Sequence, residues 1–159
     1  MHSPGPNAHV HVIVNGELYD YDRLRKQLEA EPSNYVFSSN SDSELVVALY
    51  LTYGLGFTEY LRGEFACIVY DEKRKFFLAA RDRYGIKPLF WTMQQGRLLV
   101  ASEMKAFLPL GWQPEWDVGS LRGAGWNHDV RTVFRGVQKV RAPLQQPRPG
   151  SSTLHATKH

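Results

Sequence analysis

The sequence predicts an α+β fold made mainly of antiparallel hairpins with a few helices packed on them. Two pairs of apolar-rich runs each flank a short polar turn. Residues 65–71 and 75–81 surround Glu72-Lys73-Arg74, and residues 89–93 and 97–102 surround Gln94-Gln95-Gly96. Residues 21–30 set Leu24 and Leu28 on one helical face. A second apolar run, ending at Tyr53, follows the helix-start signature Ser41-Asp42-Ser43-Glu44. Hairpin runs segregated from helical runs are the pattern of an α+β domain.

In chain order, residues 9–14 are β-branched and partly alternating, which predicts a strand that Asn15-Gly16 ends with turn chemistry. The helix over residues 21–30 ends before Pro32, and residues 35–37 are expected to form a second short strand. Ser41 with Glu44 reads as a capping box, and Gly54 sits where the helix should stop. Between the hairpins lies the charged loop Arg81-Asp82-Arg83-Tyr84-Gly85-Ile86-Lys87-Pro88. A short helix is expected over residues 103–108, an irregular Gly- and Trp-rich stretch over 112–127, and one more strand over 137–140. From residue 142 the chain turns to Pro, Gln, Ser and Thr without an apolar pattern. This places a domain at 1–141 and a disordered tail at 142–159.

The 159 residues suit a single domain with its own core. A net charge of +3 comes from basic residues scattered along the chain, with no basic stripe interleaved with aromatics, so no nucleic-acid partner is expected. No apolar stretch reaches about 18 residues, so no membrane span is expected. The start, MHSPGPNAH, lacks the apolar region of a signal peptide, which makes the cytoplasm the default location. One cysteine, Cys67, excludes an intrachain disulfide and a cysteine-rich metal site.

Asn15-Gly16-Glu17, read alone, is a turn. Its chemical reading is an oxyanion hole, in which a side-chain amide and a nearby backbone N–H stabilise a developing negative oxygen. Asp42, read alone, is a carboxylate favoured at a helix start. Its chemical reading is a carboxylate that pairs with a substrate ammonium. Cys67 falls mid-strand, where a free cysteine behaves as a small hydrophobe. His9 and His11 share a strand face but lack a third ligand for zinc.

Four segments set these residues in a wider pattern. VNGELYDYDRLRKQL, SDSELVVALY, LRGEFACIVYDEKRKFFLAARDRYGIKPLF and LLVASEMKAFLPL follow in this order. Together they resemble the class II (type 2) glutamine amidotransferase domain of the asparagine synthetase (glutamine-hydrolysing) family, over residues 9–140. The resemblance implies a four-layer αββα sandwich of two antiparallel sheets, of the N-terminal-nucleophile hydrolase type, incomplete at the N-terminus. It implies that Asn15 and Gly16 form the oxyanion hole, that Glu17 contacts bound L-glutamine and that Asp42 binds its α-amino group. In that family the domain supplies ammonia from glutamine for asparagine biosynthesis, and the RDRYGIKPL loop is mainly architectural.

The chain also departs from the pattern. The family's nucleophile is an N-terminal cysteine whose own α-amino group is the base. Here Met1-His2-Ser3 stands at the start, and Asn15 follows too soon for a nucleophile strand and a glutamine-carboxylate arginine. The expectation is a domain truncated at both ends, which has lost hydrolysis and binds glutamine weakly. The alternative is a non-catalytic amino-acid-binding or regulatory module. A synthetase domain or subunit would be its partner, and a truncated product of a longer synthetase gene is a third origin. No Gly-rich phosphate loop is present. No cofactor is therefore expected in this chain, and ATP and Mg would belong to the synthetase domain.

Overall fold

The computed structural model describes residues 9–30, 35–122 and 130–141. Strand β1 (Val10–Leu18) pairs antiparallel with β2 (Gly63–Asp71), and β2 pairs antiparallel with β3 (Phe76–Arg81). The second hairpin, β4 (Phe90–Gln94) and β5 (Arg97–Ala101), gains β6 (Val137–Lys139) on the far side of β4. Both hairpins thus stand where the apolar runs predict them, in two sheets of order β1-β2-β3 and β5-β4-β6.

The period-two alternation of the strands decides how the layers stack. Val10, Val12, Cys67, Val69 and Ala80 face one side of the first sheet. There they pack against helices α1 (Tyr21–Ala30) and α2 (Ser43–Tyr53), which contribute Leu24, Leu28, Leu45 and Leu49. Ala66, Ile68 and Ala79 face the other side and meet Leu89, Trp91, Val100 and Val140 of the second sheet and its flanks. The outer face of the second sheet, with Phe90, Leu99 and Val137, is covered by Phe107, Trp112 and Phe134. The result is a four-layer αββα sandwich. Its fourth layer is the 3₁₀ segment Met104–Leu110, and the short helix α3 (Val118–Arg122) follows it. Among the described residues, no helix is long and apolar enough to cross a membrane.

Helix α2 is buried from Glu44 to Tyr50 and ends at Gly54 as expected. Its start differs from the expected capping box. The N-cap is Asp42, which makes no side-chain cap hydrogen bond. Glu44 turns instead to the preceding loop. Its carboxylate accepts the Ser38 and Ser39 N–H groups at 2.8 Å each, their hydroxyls at 2.9 and 2.6 Å, and the Tyr35 hydroxyl at 3.2 Å. Burial alone would raise this carboxyl's pKa; the serine hydrogen bonds outweigh that and hold it below the usual carboxylate range.

Three further expectations are corrected. Residues 35–37 form no strand, because Tyr35 and Phe37 meet edge-to-face at 4.9 Å and the segment serves to deliver Ser38 and Ser39 to Glu44. The stretch expected to be irregular contains α3, started by Asp117 Oδ1 accepting the Ser120 N–H at 3.0 Å. Asn15-Gly16 does not end β1, which continues in register to Leu18 opposite Gly63. The expected tail, 142–159, lies outside the described residues.

Candidate active site

The continuation of β1 past Asn15 creates the site. The Tyr19 N–H donates to the Arg62 carbonyl at 2.8 Å, and the Glu72 N–H donates to the His9 carbonyl at 2.9 Å. Odd-numbered residues of β1 are therefore the ones bonded to β2, and even-numbered ones turn their main-chain groups to the outer edge of the sheet. Leu18 shows this directly, since its N–H donates to Asp42 Oδ2 at 2.9 Å. One hydrogen bond thus fastens the start of α2 to the end of β1. It brings Asp42 alongside Asn15, Gly16 and Glu17, and Asp42 keeps its second oxygen for another donor.

Gly16 occupies an edge-facing position with φ +132°, and a Cβ there would overlap the Glu64 carbonyl oxygen and come within 2.8 Å of Phe65 Cα. Only glycine lets the strands approach this closely. Asn15 is exposed and points to the side facing the second sheet, where its Nδ2 donates to Ser102 Oγ at 3.2 Å. That bond uses one of the two amide N–H groups and leaves the other for a ligand's carbonyl oxygen. Glu17 is exposed and lies directly opposite Glu64 on β2. The four residues singled out from the sequence therefore come together along the outer half of β1.

Two nearby groups carry no signal in the sequence. Ser102 follows β5, 87 residues from Asn15, and only the stacking of the sheets reveals that it orients the amide. Tyr19 lies past the end of β1, and its phenol is held above its ordinary pKa by the charge of Glu64, by burial and by the charge of Glu17.

The other candidates lie elsewhere. Cys67 is on the helix-facing side of the sheet, 1% exposed, and burial pushes its thiol up to about 12. That is the state of an inert core cysteine, not of a nucleophile. His9 stands 3.9 Å from Asp71, whereas His11 hydrogen-bonds Glu72 at 2.9 Å, so the two rings serve different carboxylates. In the charged loop, the buried Asp82 accepts the N–H groups of Tyr84, Ile86 and Lys87 at 3.0 Å each, an architectural role.

Two stacked antiparallel sheets between helical layers, with an Asn-Gly-Glu strand edge beside a helix-borne aspartate, define an amidotransferase sandwich of the N-terminal-nucleophile hydrolase class. The comparisons agree. The glutamine amidotransferase domain family matches residues 4–147. The chain is 54% identical to Amidase chry2 of Gibberella zeae over 83% of its length, and 52% identical to Amidase chyE of Penicillium rubens over 82%. It is 34% identical to asparagine synthetase (glutamine-hydrolysing) 3 of Bacillus subtilis, over 82% of its length. It spans only 19–22% of the length of these relatives. Among solved structures, glutamine phosphoribosylpyrophosphate amidotransferase from B. subtilis superposes with a TM-score of 0.58 and 26% identity. That match covers 72% of this chain and 27% of the other. The chain belongs to the glutamine amidotransferase domain family and is related to the glutamine-hydrolysing asparagine synthetases.

Proposed function

We propose that this chain is a glutamine-holding module, in which Asn15 and Gly16 take the side-chain amide oxygen and Asp42 with Glu17 takes the α-ammonium. The observation that carries the reading is the Leu18–Asp42 hydrogen bond, because it fixes the ammonium partner at the strand edge that bears the amide partner. Binding of this kind calls on no metal or nucleotide in this chain.

The chain does not hydrolyse glutamine by itself in this reading. Acyl transfer from an amide needs an activated nucleophile, and the one thiol, Cys67, is buried on the wrong face of the sheet. Where hydrolysis occurs, the nucleophile is contributed by other chain, and the ammonia passes to a synthetase domain or subunit. The relatives named amidase stand at 52–54% identity and the B. subtilis asparagine synthetase at 34%. That ordering favours the amidases' setting over asparagine biosynthesis.

Calorimetric titration tests the proposal. L-Glutamine should bind in the millimolar range, on the order of −4 kcal/mol, as suits an open site with exposed polar partners. Asn15→Ala should weaken it by roughly tenfold, the worth of one good hydrogen bond to a partly desolvated group, while no ammonia is released by either protein. Absence of binding at tens of millimolar, or ammonia release that Cys67→Ala abolishes, would overturn it.

A further inference from the structure

We infer that Arg25 is a positioning residue for the ammonium-binding carboxylate: it fixes Asp42 by clamping the loop that leads into it, without touching the ligand. The inference rests on the glutamine reading above and deepens it.

Two contacts of Arg25 stay on its own helix. Its Nη1 donates to the Tyr21 hydroxyl at 2.6 Å, and its Nε donates to Glu29 Oε1 at 3.0 Å. Pairs one turn apart steady a helix surface and contribute little more. The remaining contacts leave the helix. Nη1 also donates to the Ser39 carbonyl at 2.9 Å and to Asn40 Oδ1 at 3.2 Å. The guanidinium carbon lies 4.6 Å from the centre of the Phe37 ring. One side chain, itself 24% exposed, thus holds three residues of the loop before Asp42. A planar fork with a stacking face makes such a combination, and an ammonium does not.

Glu44 cannot supply this. Its carboxylate only accepts, so it takes the N–H and hydroxyl groups of Ser38 and Ser39. The Ser39 carbonyl and the Asn40 side-chain oxygen need a donor, and Arg25 provides it. Ser41 N–H then donates to Ser39 Oγ at 3.2 Å, which carries the constraint to the residue before Asp42.

These contacts close a ring. The chain leaves β1 at Leu18 and enters α1 at Tyr21. Arg25 ties α1 to Ser39 and Asn40, and two residues later Asp42 Oδ2 accepts the Leu18 N–H at 2.9 Å. Without Arg25, α1 and the loop are free to part, and the Leu18 bond must hold Asp42 to the strand edge unaided. Asn15 and Gly16 lie within the β1–β2 ladder and do not depend on the ring. Loss of Arg25 should therefore weaken the ammonium end of the site and spare the amide end.

Amide hydrogen exchange and NMR titration of the full chain test this with Arg25→Met, which keeps helix propensity and an apolar stem while removing every N–H of the guanidinium. The Leu18 N–H should exchange roughly tenfold faster in the variant, while the Ile13 N–H, bonded within the sheet, changes by less than about twofold. Affinity for L-glutamine should fall about fivefold, and affinity for its desamino analogue, 5-amino-5-oxopentanoic acid, by less than about twofold. Should Arg25→Met fail to fold, Asn40→Ala leaves α1 untouched and should speed Leu18 exchange about threefold with Ile13 unchanged. Unchanged exchange at Leu18, an equal rise at Leu18 and Ile13, or an equal loss of affinity for both compounds would overturn the role of Arg25 while leaving the glutamine site standing. Failure of the wild type to bind L-glutamine would overturn the glutamine reading itself.

Discussion

Replacing Glu44 by glutamine tests how α2 is seated, and the structure allows the cost to be worked through. The carboxylate accepts five hydrogen bonds, three at Oε1 and two at Oε2. Glutamine offers one acceptor oxygen. If it keeps the Oε1 contacts, its NH₂ faces the Ser39 N–H, donor against donor; the Ser39 hydroxyl rotates to accept, but the backbone N–H is stranded. An unpaired N–H in this part-buried setting costs toward the low end of about 1–3 kcal/mol, and three charge-assisted bonds made neutral cost roughly 0.5–1 kcal/mol each. Relief from burying a charge returns about 1–2 kcal/mol. The expected loss is about 2–3 kcal/mol, a large part of the 5–15 kcal/mol typical of a domain, with a melting temperature lower by roughly 10 °C. Urea unfolding at pH 7 should show a lower midpoint at unchanged m. The pH dependence gives a second reading. The folded carboxyl's pKa lies below its ordinary value, so its stabilisation is complete above the unfolded pKa of about 4.3 and is lost as pH falls through the folded value. Glu44→Gln should lack that part of the acid loss. A variant within about 0.5 kcal/mol of wild type, or one with the same acid slope, would refute the hydrogen-bond account.

Two other predictions follow from the same geometry. Asp42→Asn keeps a carbonyl oxygen for the Leu18 N–H but loses the charge, so stability should stay within about 1 kcal/mol while glutamine affinity falls roughly tenfold; Asp42→Ala should lose both the tie and the affinity. Equal glutamine affinity in wild type and Asp42→Asn would remove Asp42 from the site. With its thiol pushed up to about 12, Cys67 should react with an aromatic disulfide reagent at pH 8 roughly 10³-fold more slowly in the native protein than in urea. Rates within tenfold of each other would show that the thiol is neither buried nor inert.

Much of the scaffold is legible from local patterns. The two hairpins declare themselves because alternation and polar turns are short-range signals, and Leu24 with Leu28 is enough to mark α1. Errors arise where a local signal competes with a distant partner. Asn15-Gly16 carries turn chemistry, yet pairing with β2 keeps the strand going, and the deciding contact, Gly16 against Glu64, lies 48 residues away in sequence. Ser41 and Glu44 have capping-box spacing, yet four donors on Ser38 and Ser39 outcompete one N–H on Ser41. The site divides in the same way. Asn15, Gly16 and Glu17 are contiguous and visible together. Asp42 is brought in by the family resemblance rather than by spacing, while Ser102 enters only through sheet stacking.

The misread turn is also the key to the chemistry. Had Asn15-Gly16 closed β1, residue 18 would have left the sheet, its N–H could not have met Asp42, and the proposed amide-binding and ammonium-binding groups would have been unconnected. Continuation as a strand places Asn15 and Leu18 about 10 Å apart along one continuous edge. An edge strand is normally a liability because its outward main-chain groups are unsatisfied. Here Asp42 satisfies one of them at Leu18, and Gly16 holds the neighbouring edge position. Exposure of the edge and preorganisation of the site are therefore one property. A substitution that closed the edge against another strand would stabilise the sheet and remove the proposed amide-binding position at Gly16.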